Sequence, residues 1–207
     1  MLLQKERELV REYGVKMIDA NLTSGTSGNI SIFNRELGLY AMSPSSMDYH
    51  IIQPEDVVVM DLEGNIVEGT RRPSIEHVMH RNFYKYRDDI DAVVHTHSSY
   101  VTAASCLAKP LPALHFMQLL CGQNELPCAP FVFPGTEELA TAAFESMKGL
   151  KATLLANHGL IVGSKDIKNA FYIAAELEEM AKVYYIAKSM GEPQILTEEM
   201  TKGLVIG

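Results

Sequence analysis

The sequence predicts an α/β domain in which helices cover both faces of a sheet, and three features point there. Segments with helical apolar spacing alternate with short β patterns, and several of those patterns face each other across tight turns. No internal repeat of roughly 20–50 residues and no low-complexity linker divides the chain, which predicts one domain over residues 1–207. With 47% hydrophobic and 21% charged residues, 207 residues suffice to bury a sizeable core, and disorder is excluded.

Taken in order, Leu2, Leu9, Val10, Tyr13, Met17 and Ile18 recur at helical spacing, and the pattern stops in the polar stretch 21–29, rich in Gly, Ser and Thr. Strands follow at Ile30–Asn34 and Leu39–Ser43, with a turn at Arg35–Gly38 between them. Segments Asp56–Asp61 and Asn65–Glu68 flank Leu62-Glu-Gly64 and predict a hairpin. Pro73-Ser74 predicts a helix start with Glu76 in the first turn, continued by Val78, Met79 and Phe83. A strand at Ala92–His95 precedes a short helix at Ser99–Leu107, and Pro127–Pro134 reads as an extended piece bounded by breakers. Thr136 caps a helix to Met147, whose Glu137 and Glu138 favour the positive end of the helix dipole. Apolar strands at Ala152–Ala156 and Leu160–Val162 surround Asn157-His-Gly159, and the longest helix runs from Asp166 to Ser189, with Gly191 as its stop. The acidic run Glu176–Glu179 predicts solvated helix surface.

Charge removes several function classes. The 26 acidic against 18 basic residues give a net charge of −8, without the Lys/Arg cluster that binding a phosphate backbone requires, so nucleic acid is not an expected partner. The start becomes charged after three residues and no apolar run approaches a membrane span, which predicts a cytoplasmic protein with no membrane partner. Three cysteines, Cys106, Cys121 and Cys128, match no paired metal motif and fit reduced thiols.

The sharpest chemical signal is Asp91-Ala-Val-Val-His-Thr-His97. Side chains alternate along a strand, so His95 and His97 share one face and can close on one metal, whereas a helix would set them about 200° apart. A catalytic metal uses three protein ligands and an open position, and His158, next to the flexible Gly159, is the candidate third. Glu76 and His80, four apart on a helix face, form a weaker rival site without the HExxH order, and His80 reads more simply as a packed, hydrogen-bonded histidine. Glu76 fits either an acid/base beside a metal-bound substrate or a first-turn carboxylate stabilised by the helix dipole. Gly25–Asn29 fits either an anion-binding nest or a plain turn; Ser43–Ser46 is equally open, and Ser74 fits a helix cap.

Together, Thr26-Ser-Gly-Asn-Ile-Ser31, Ser43-Pro-Ser-Ser46, Pro73-Ser-Ile-Glu76, Val94-His-Thr-His97 and Leu155-Ala-Asn-His-Gly159 resemble the zinc-dependent class II aldolase/adducin family over nearly the whole chain. Pro112-Ala-Leu-His-Phe-Met117 and Leu126-Pro-Cys-Ala-Pro130 resemble its sugar-phosphate aldolase branch. The resemblance implies a three-layer α/β/α fold with a mainly antiparallel central sheet, and a homotetramer with active sites at subunit interfaces. It implies a Zn2+ cofactor on His95, His97 and His158, with Glu76 as acid/base and as a ligand of the resting metal. Gly28, Asn29, Ser45, Ser46 and Ser74 fall where the family binds substrate phosphate. The implied reaction is reversible cleavage of a ketose 1-phosphate, L-fuculose 1-phosphate or a close relative, to dihydroxyacetone phosphate and a short aldehyde. The alternatives are a 5-deoxypentulose-1-phosphate aldolase, a 4-epimerase or dehydratase of the same family, and a non-catalytic assembly domain. Three positions depart from the aldolase pattern: Phe116 replaces a Tyr that assists protonation at the aldehyde end, Ile75 a phosphate-binding Ser, and Ser46 a Gly. The chain also ends at Gly207, where that pattern continues into a tail with a further active-site Tyr.

Overall fold

A computed structural model describes residues 1–204; the expectation attached to the chain end at Gly207 lies outside them. Helix α1 (Gln4–Asp19) leads through the glycine loop into strands β1 (Asn29–Asn34) and β2 (Leu39–Met42). A 3-10 turn at Pro54–Asp56 precedes the hairpin β3 (Val58–Asp61) and β4 (Ile66–Glu68). Then come α2 (His77–Tyr86), β5 (Ala92–Thr96) and α3 (Ser99–Ser105). A two-stranded ribbon of β6 (Leu111–Pro112) and β7 (Glu125–Leu126) brackets a 3-10 helix at Phe116–Cys121. The remainder is β8 (Cys128–Ala129), α4 (Glu137–Ser146), β9 (Ala152–Leu155), β10 (Gly159–Ser164), α5 (Ile167–Met190) and α6 (Glu198–Thr201).

Eight strands form one sheet in the order β4-β3-β2-β1-β5-β10-β9-β8. Every neighbouring pair is antiparallel except β8 with β9. Alternation along the strands divides the apolar side chains between two cores. Ile30, Ala92, Val94, Leu160 and Val162 face α1, α3 and α5 through Val10, Met17, Val101, Ile173 and Leu177. Val93 and Ile161, with Tyr40, Met42 and Met60, face α2 and α4 through Met79, Phe83, Leu139 and Ala143. The α/β/α layering and the mainly antiparallel sheet are therefore as the sequence predicts. Among the described residues, no helix is long and apolar enough to cross a membrane.

Several local expectations need correction. Helix α2 begins at His77 with Glu76 as its N-cap residue, so Glu76 is not in the first turn. Ser74 is not the cap of that helix: its hydroxyl accepts from the Glu76 N–H at 3.3 Å in the preceding turn. Asp56 ends the 3-10 turn Pro54–Asp56 rather than opening a strand, because its carboxylate accepts from the Gln53 N–H at 2.9 Å across Pro54. Only Cys128–Ala129 of the extended piece pairs, with β9. Glu178 does more than solvate α5: its carboxylate accepts from the Tyr100 and Val101 N–H groups at 3.0 and 2.9 Å, at the N-terminus of α3.

Candidate active site

The site forms where β5 runs between β1 and β10. In this register Asn29 of β1 and Ile161 of β10 lie on either side of His95. His95 follows the parity of Val93, so its ring points toward the α2 side of the sheet, and His97 leaves the strand end on the same side. The third histidine arrives in the turn between β9 and β10, where Asn157 takes a left-handed conformation at φ 56°. That turn is clamped to α3 by Ser105, whose carbonyl accepts from the Asn157 N–H (3.1 Å) and whose hydroxyl accepts from the His158 N–H (3.2 Å). Gly159 has a steric reason. A Cβ there would run into the Thr96 carbonyl and come within 3.1 Å of the His97 ring, so a side chain would separate His158 from the other two histidines.

Glu76 is delivered from the N-cap of α2, a helix that packs beneath the histidines. Its carboxylate does not cap the helix. Instead Oε2 lies 3.2 Å from His95 Nε2 and Oε1 lies 3.2 Å from His158 Nε2. His95 Nε2 is also 2.8 Å from His97 Nε2 and 3.2 Å from His158 Nε2. One donor atom from each of Glu76, His95, His97 and His158 falls in a group whose members all lie within 4.8 Å of one another.

The protonation pattern suits a cation. His95 Nδ1 donates to the Leu160 carbonyl at 2.8 Å, which fixes its tautomer and turns the Nε2 lone pair toward the cluster. Burial, reinforced by the neighbouring imidazoles, lowers the pKa of His97 to about 3 and of His158 to about 4, so both rings are neutral at pH 7, the form a metal would need. For His95 burial acts the same way but is outweighed by the Glu76 carboxylate, and the net shift is upward. Burial disfavours ionised Glu76, yet His95, His158 and the Asn29 amide together hold the carboxyl well below the usual range. Glu76 Oε1, although buried, has no hydrogen-bond partner. Three imidazole nitrogens and an ionised, incompletely satisfied carboxylate oxygen facing one point fit a divalent cation. Zinc–nitrogen bonds of about 2.0–2.1 Å would set tetrahedral ligand atoms about 3.3 Å apart, close to the spacings found.

Beside the cluster lies a cavity of about 140 Å³ lined by the glycine loop, the serines and the edge of the cluster. Gly28, Asn29, Ser45, Ser46 and Ser74, together with Glu76 and His97, all reach it. They meet because the isolated bridge Pro44↔Pro73 zips the loop after β2 to the loop before α2. The Ser45 N–H donates to the Arg72 carbonyl, and the Ser74 N–H to the Ser43 carbonyl. Ser46 sits at φ 58°, which accounts for a Gly at this place in the family pattern: a side chain there carries a left-handed cost of roughly 1–2 kcal/mol. Gly28 is likewise at φ 70°, and a Cβ would lie 2.8 Å from the His95 carbonyl. No Lys or Arg lines this cavity, so an anion in it would be held by hydroxyl and backbone N–H donors.

The remaining sequence candidates fall elsewhere. His80 does not join the cluster and offers no free nitrogen, its two ring nitrogens facing Ser31 and Asn29. Phe116 opens the 3-10 helix, is 45% exposed, stacks against His115 and is outside the cavity. The sequence reading did not include Thr26 and Ser27 as site residues, although both line the cavity; their place in the Thr26–Ser31 motif was the available signal.

Comparison with known proteins agrees with this geometry. Residues 8–185 match the family model for the class II aldolase and adducin N-terminal domain. The chain is 52% identical over 204 residues to a 5-deoxy-D-ribulose 1-phosphate aldolase of Bacillus thuringiensis serovar kurstaki, covering 99% of this chain and 95% of that one. It is 38% identical to a 5-methylthioribulose-1-phosphate/5-deoxyribulose-1-phosphate aldolase of Rhodospirillum rubrum, covering 88% and 82%. A solved structure described as an L-fuculose 1-phosphate aldolase superposes with a TM-score of 0.91 at 45% identity, covering 94% of this chain and 92% of that one. A family match over most of the chain, joined to an intact His/Glu cluster, places this protein in the class II aldolase and adducin family.

Proposed function

We propose that this chain is a zinc-dependent aldolase that reversibly cleaves a 5-deoxypentulose 1-phosphate to dihydroxyacetone phosphate and acetaldehyde. Among the substrates weighed from the sequence, this one replaces L-fuculose 1-phosphate as the leading reading. The observation that carries it is the 52% identity, over 99% of the chain, to an enzyme named for a 5-deoxyribulose phosphate. Phe116 in place of the Tyr suits the smaller, apolar aldehyde that a five-carbon 5-deoxy substrate releases.

In this reading His95, His97 and His158 would hold the metal, joined by Glu76 only in the resting site, and the bound metal would supply Lewis acidity toward the substrate oxygens beside the scissile bond. Gly28, Asn29, Ser45, Ser46 and Ser74 seat the phosphate, and with it the three carbons that become dihydroxyacetone phosphate. In the cleavage direction ionised Glu76 takes up the C4 hydroxyl proton, the C3–C4 bond breaks and leaves its electron pair on C3, C4 departs as the aldehyde, and C3 takes a proton. Glu76 returns that proton from Oε1, the carboxylate oxygen without a hydrogen-bond partner. The exposed Ile75, Phe116, Phe131 and Phe133 suit burial by neighbouring subunits, in keeping with a homotetramer whose sites lie between subunits.

The test offers purified protein 5-deoxyribulose 1-phosphate and L-fuculose 1-phosphate separately, following dihydroxyacetone phosphate release with and without a chelator. Faster, chelator-sensitive cleavage of the 5-deoxy substrate is expected. Preference for L-fuculose 1-phosphate would overturn the substrate assignment, and release unaffected by metal removal would overturn the mechanism.

A further inference from the structure

A line of buried polar side chains runs from the middle of the sheet to Glu76. The Tyr84 hydroxyl is 2.5 Å from Ser31 Oγ, Ser31 Oγ is 2.7 Å from His80 Nδ1, and His80 Nε2 is 2.6 Å from Asn29 Oδ1. Asn29 Nδ2 then donates to Glu76 Oε2 at 2.8 Å. All five residues are buried, and His80 and Ser31 are fully so.

The direction of every proton in this line follows from its last member. An ionised carboxylate only accepts, so the Asn29 NH2 must face Glu76 and the Asn29 carbonyl must face His80. His80 must therefore carry its proton on Nε2. Nδ1 then accepts from the Ser31 hydroxyl, whose oxygen in turn accepts from Tyr84. Burial keeps the His80 ring neutral, lowering its pKa to about 3, and raises that of the Tyr84 hydroxyl, so neither residue disturbs the order near neutral pH. Reversing any one bond would set two acceptors against each other at a buried site, where an unmade hydrogen bond carries the full desolvation cost.

We propose that His80 is a positioning residue: held as the Nε2–H tautomer by Ser31 and Tyr84, it locks the Asn29 amide so that Asn29 grips Glu76 Oε2 and leaves Oε1 as the oxygen free for proton transfer. The line makes the two carboxylate oxygens unequal: Oε2 accepts from Asn29, whereas Oε1 has no hydrogen-bond donor and lies 3.2 Å from His158 Nε2. It also gives Asn29 a second task beside the phosphate cavity, because its amide oxygen and one amide hydrogen are committed to His80 and Glu76. The proposal rests on the reading of Glu76 as the proton carrier.

The first measurement is the His80 ring-nitrogen NMR signature in 15N-labelled, metal-free wild type, where a neutral ring with hydrogen on Nε2 is expected. A proton on Nδ1, or a charged ring at pH 7, would overturn the proposal without reference to activity, and this result stands even if variants fail to fold. The second is steady-state cleavage of 5-deoxyribulose 1-phosphate by metal-loaded variants. His80→Phe should lower kcat about 10- to 100-fold while KM stays within about twofold, as for other partners that orient a ligand. His80→Gln, whose amide can donate to Asn29 and accept from Ser31, should recover most of that loss. A folded His80→Phe variant with wild-type kcat, or His80→Gln as impaired as His80→Phe, would overturn it. Glu76→Gln separates the two ideas: activity retained there means that the proton-carrier reading has failed, whereas activity lost there but intact in His80→Phe means that only the relay has.

Discussion

Replacing Gly14 with alanine sets helix propensity against packing, and the structure decides the sign. Gly14 lies inside α1, where Gly→Ala alone should stabilise by about 1 kcal/mol. Here the new Cβ would overlap Cδ1 and Cε1 of Tyr49 and approach its Cγ to 2.8 Å. Tyr49 is 3% exposed, belongs to the core that holds Val10 and Met17, and reaches the Gly28 carbonyl through its hydroxyl at 3.4 Å. If the ring stays it is overpacked, at about 1–3 kcal/mol; if it leaves, the burial of an aromatic side chain is lost, at about 1.5–3 kcal/mol. After the propensity gain is subtracted, the net effect is a loss of about 1 kcal/mol, or a fall in Tm of about 2–4 °C for a chain of this size. Thermal unfolding of wild type, Gly14→Ala, Tyr49→Ala and the double variant measures it. In the Tyr49→Ala background the obstacle is gone, and Gly14→Ala should raise stability by up to about 1 kcal/mol. A single variant more stable than wild type, or a shift of the same sign in both backgrounds, would refute the packing argument.

Removing the metal should abolish dihydroxyacetone phosphate release and lower Tm, and zinc at about 100 times its Kd should return about 2.7 kcal/mol of stability; a Tm indifferent to zinc would count against the site. Because the buried His80 has a folded pKa of about 3 against an ordinary 6.5, it favours the folded state fully above pH 6.5. That stabilisation is lost as pH falls from 6.5 toward 3, by up to about 1.4 kcal/mol per pH unit. Urea titrations at pH 7 and pH 5 should therefore differ more for wild type than for His80→Gln. Burial raises the Cys121 thiol pKa to about 11, while Cys106 is exposed, so mass spectrometry after brief alkylation at pH 8 should find Cys106 modified and Cys121 intact. Ser105→Ala removes the hydroxyl that receives the His158 N–H and should weaken zinc binding about tenfold by competition titration, the low end for a residue behind a ligand.

How much of this was legible in the sequence depended on distance along the chain. The His95/His97 pair could be read because strand alternation is local, and His158 because a glycine beside a histidine between two apolar runs marks a turn. The helices of both layers were visible in their apolar spacing, and α4 and α5 in their Thr136 and Asp166 caps, which accept from Leu139 and Asn169. The two-residue strands β6, β7 and β8 were not, since two residues carry no periodicity. Nor was the Tyr84–Ser31–His80–Asn29 line, whose members come from β1 and α2 and face one another only because that helix lies across the central strands. Glu76 was found as a residue but misplaced by one turn position, because Pro73-Ser74 resembles a helix start while the Ser74 N–H and the Arg72 carbonyl serve the bridge to the Ser43–Ser46 loop instead.

That bridge separates two kinds of constraint. The histidines are fixed from the central sheet and from α3, by the Leu160 carbonyl, the close approach that Gly159 permits and the Ser105 clamp. The neighbouring cavity, proposed to take the phosphate, is fixed from the loops, where the Pro44↔Pro73 bridge brings Ser45, Ser46 and Ser74 together. Substitutions such as Ile75 and Ser46 can thus retune the cavity while the cluster keeps its geometry. Glu76 belongs to both sets: its N–H is held by Ser74 at the cavity, and its carboxylate by Asn29 beneath the cluster. A bound phosphate that tightened the Ser74 turn would therefore also fix the start of α2, and with it the carboxylate proposed to move the proton.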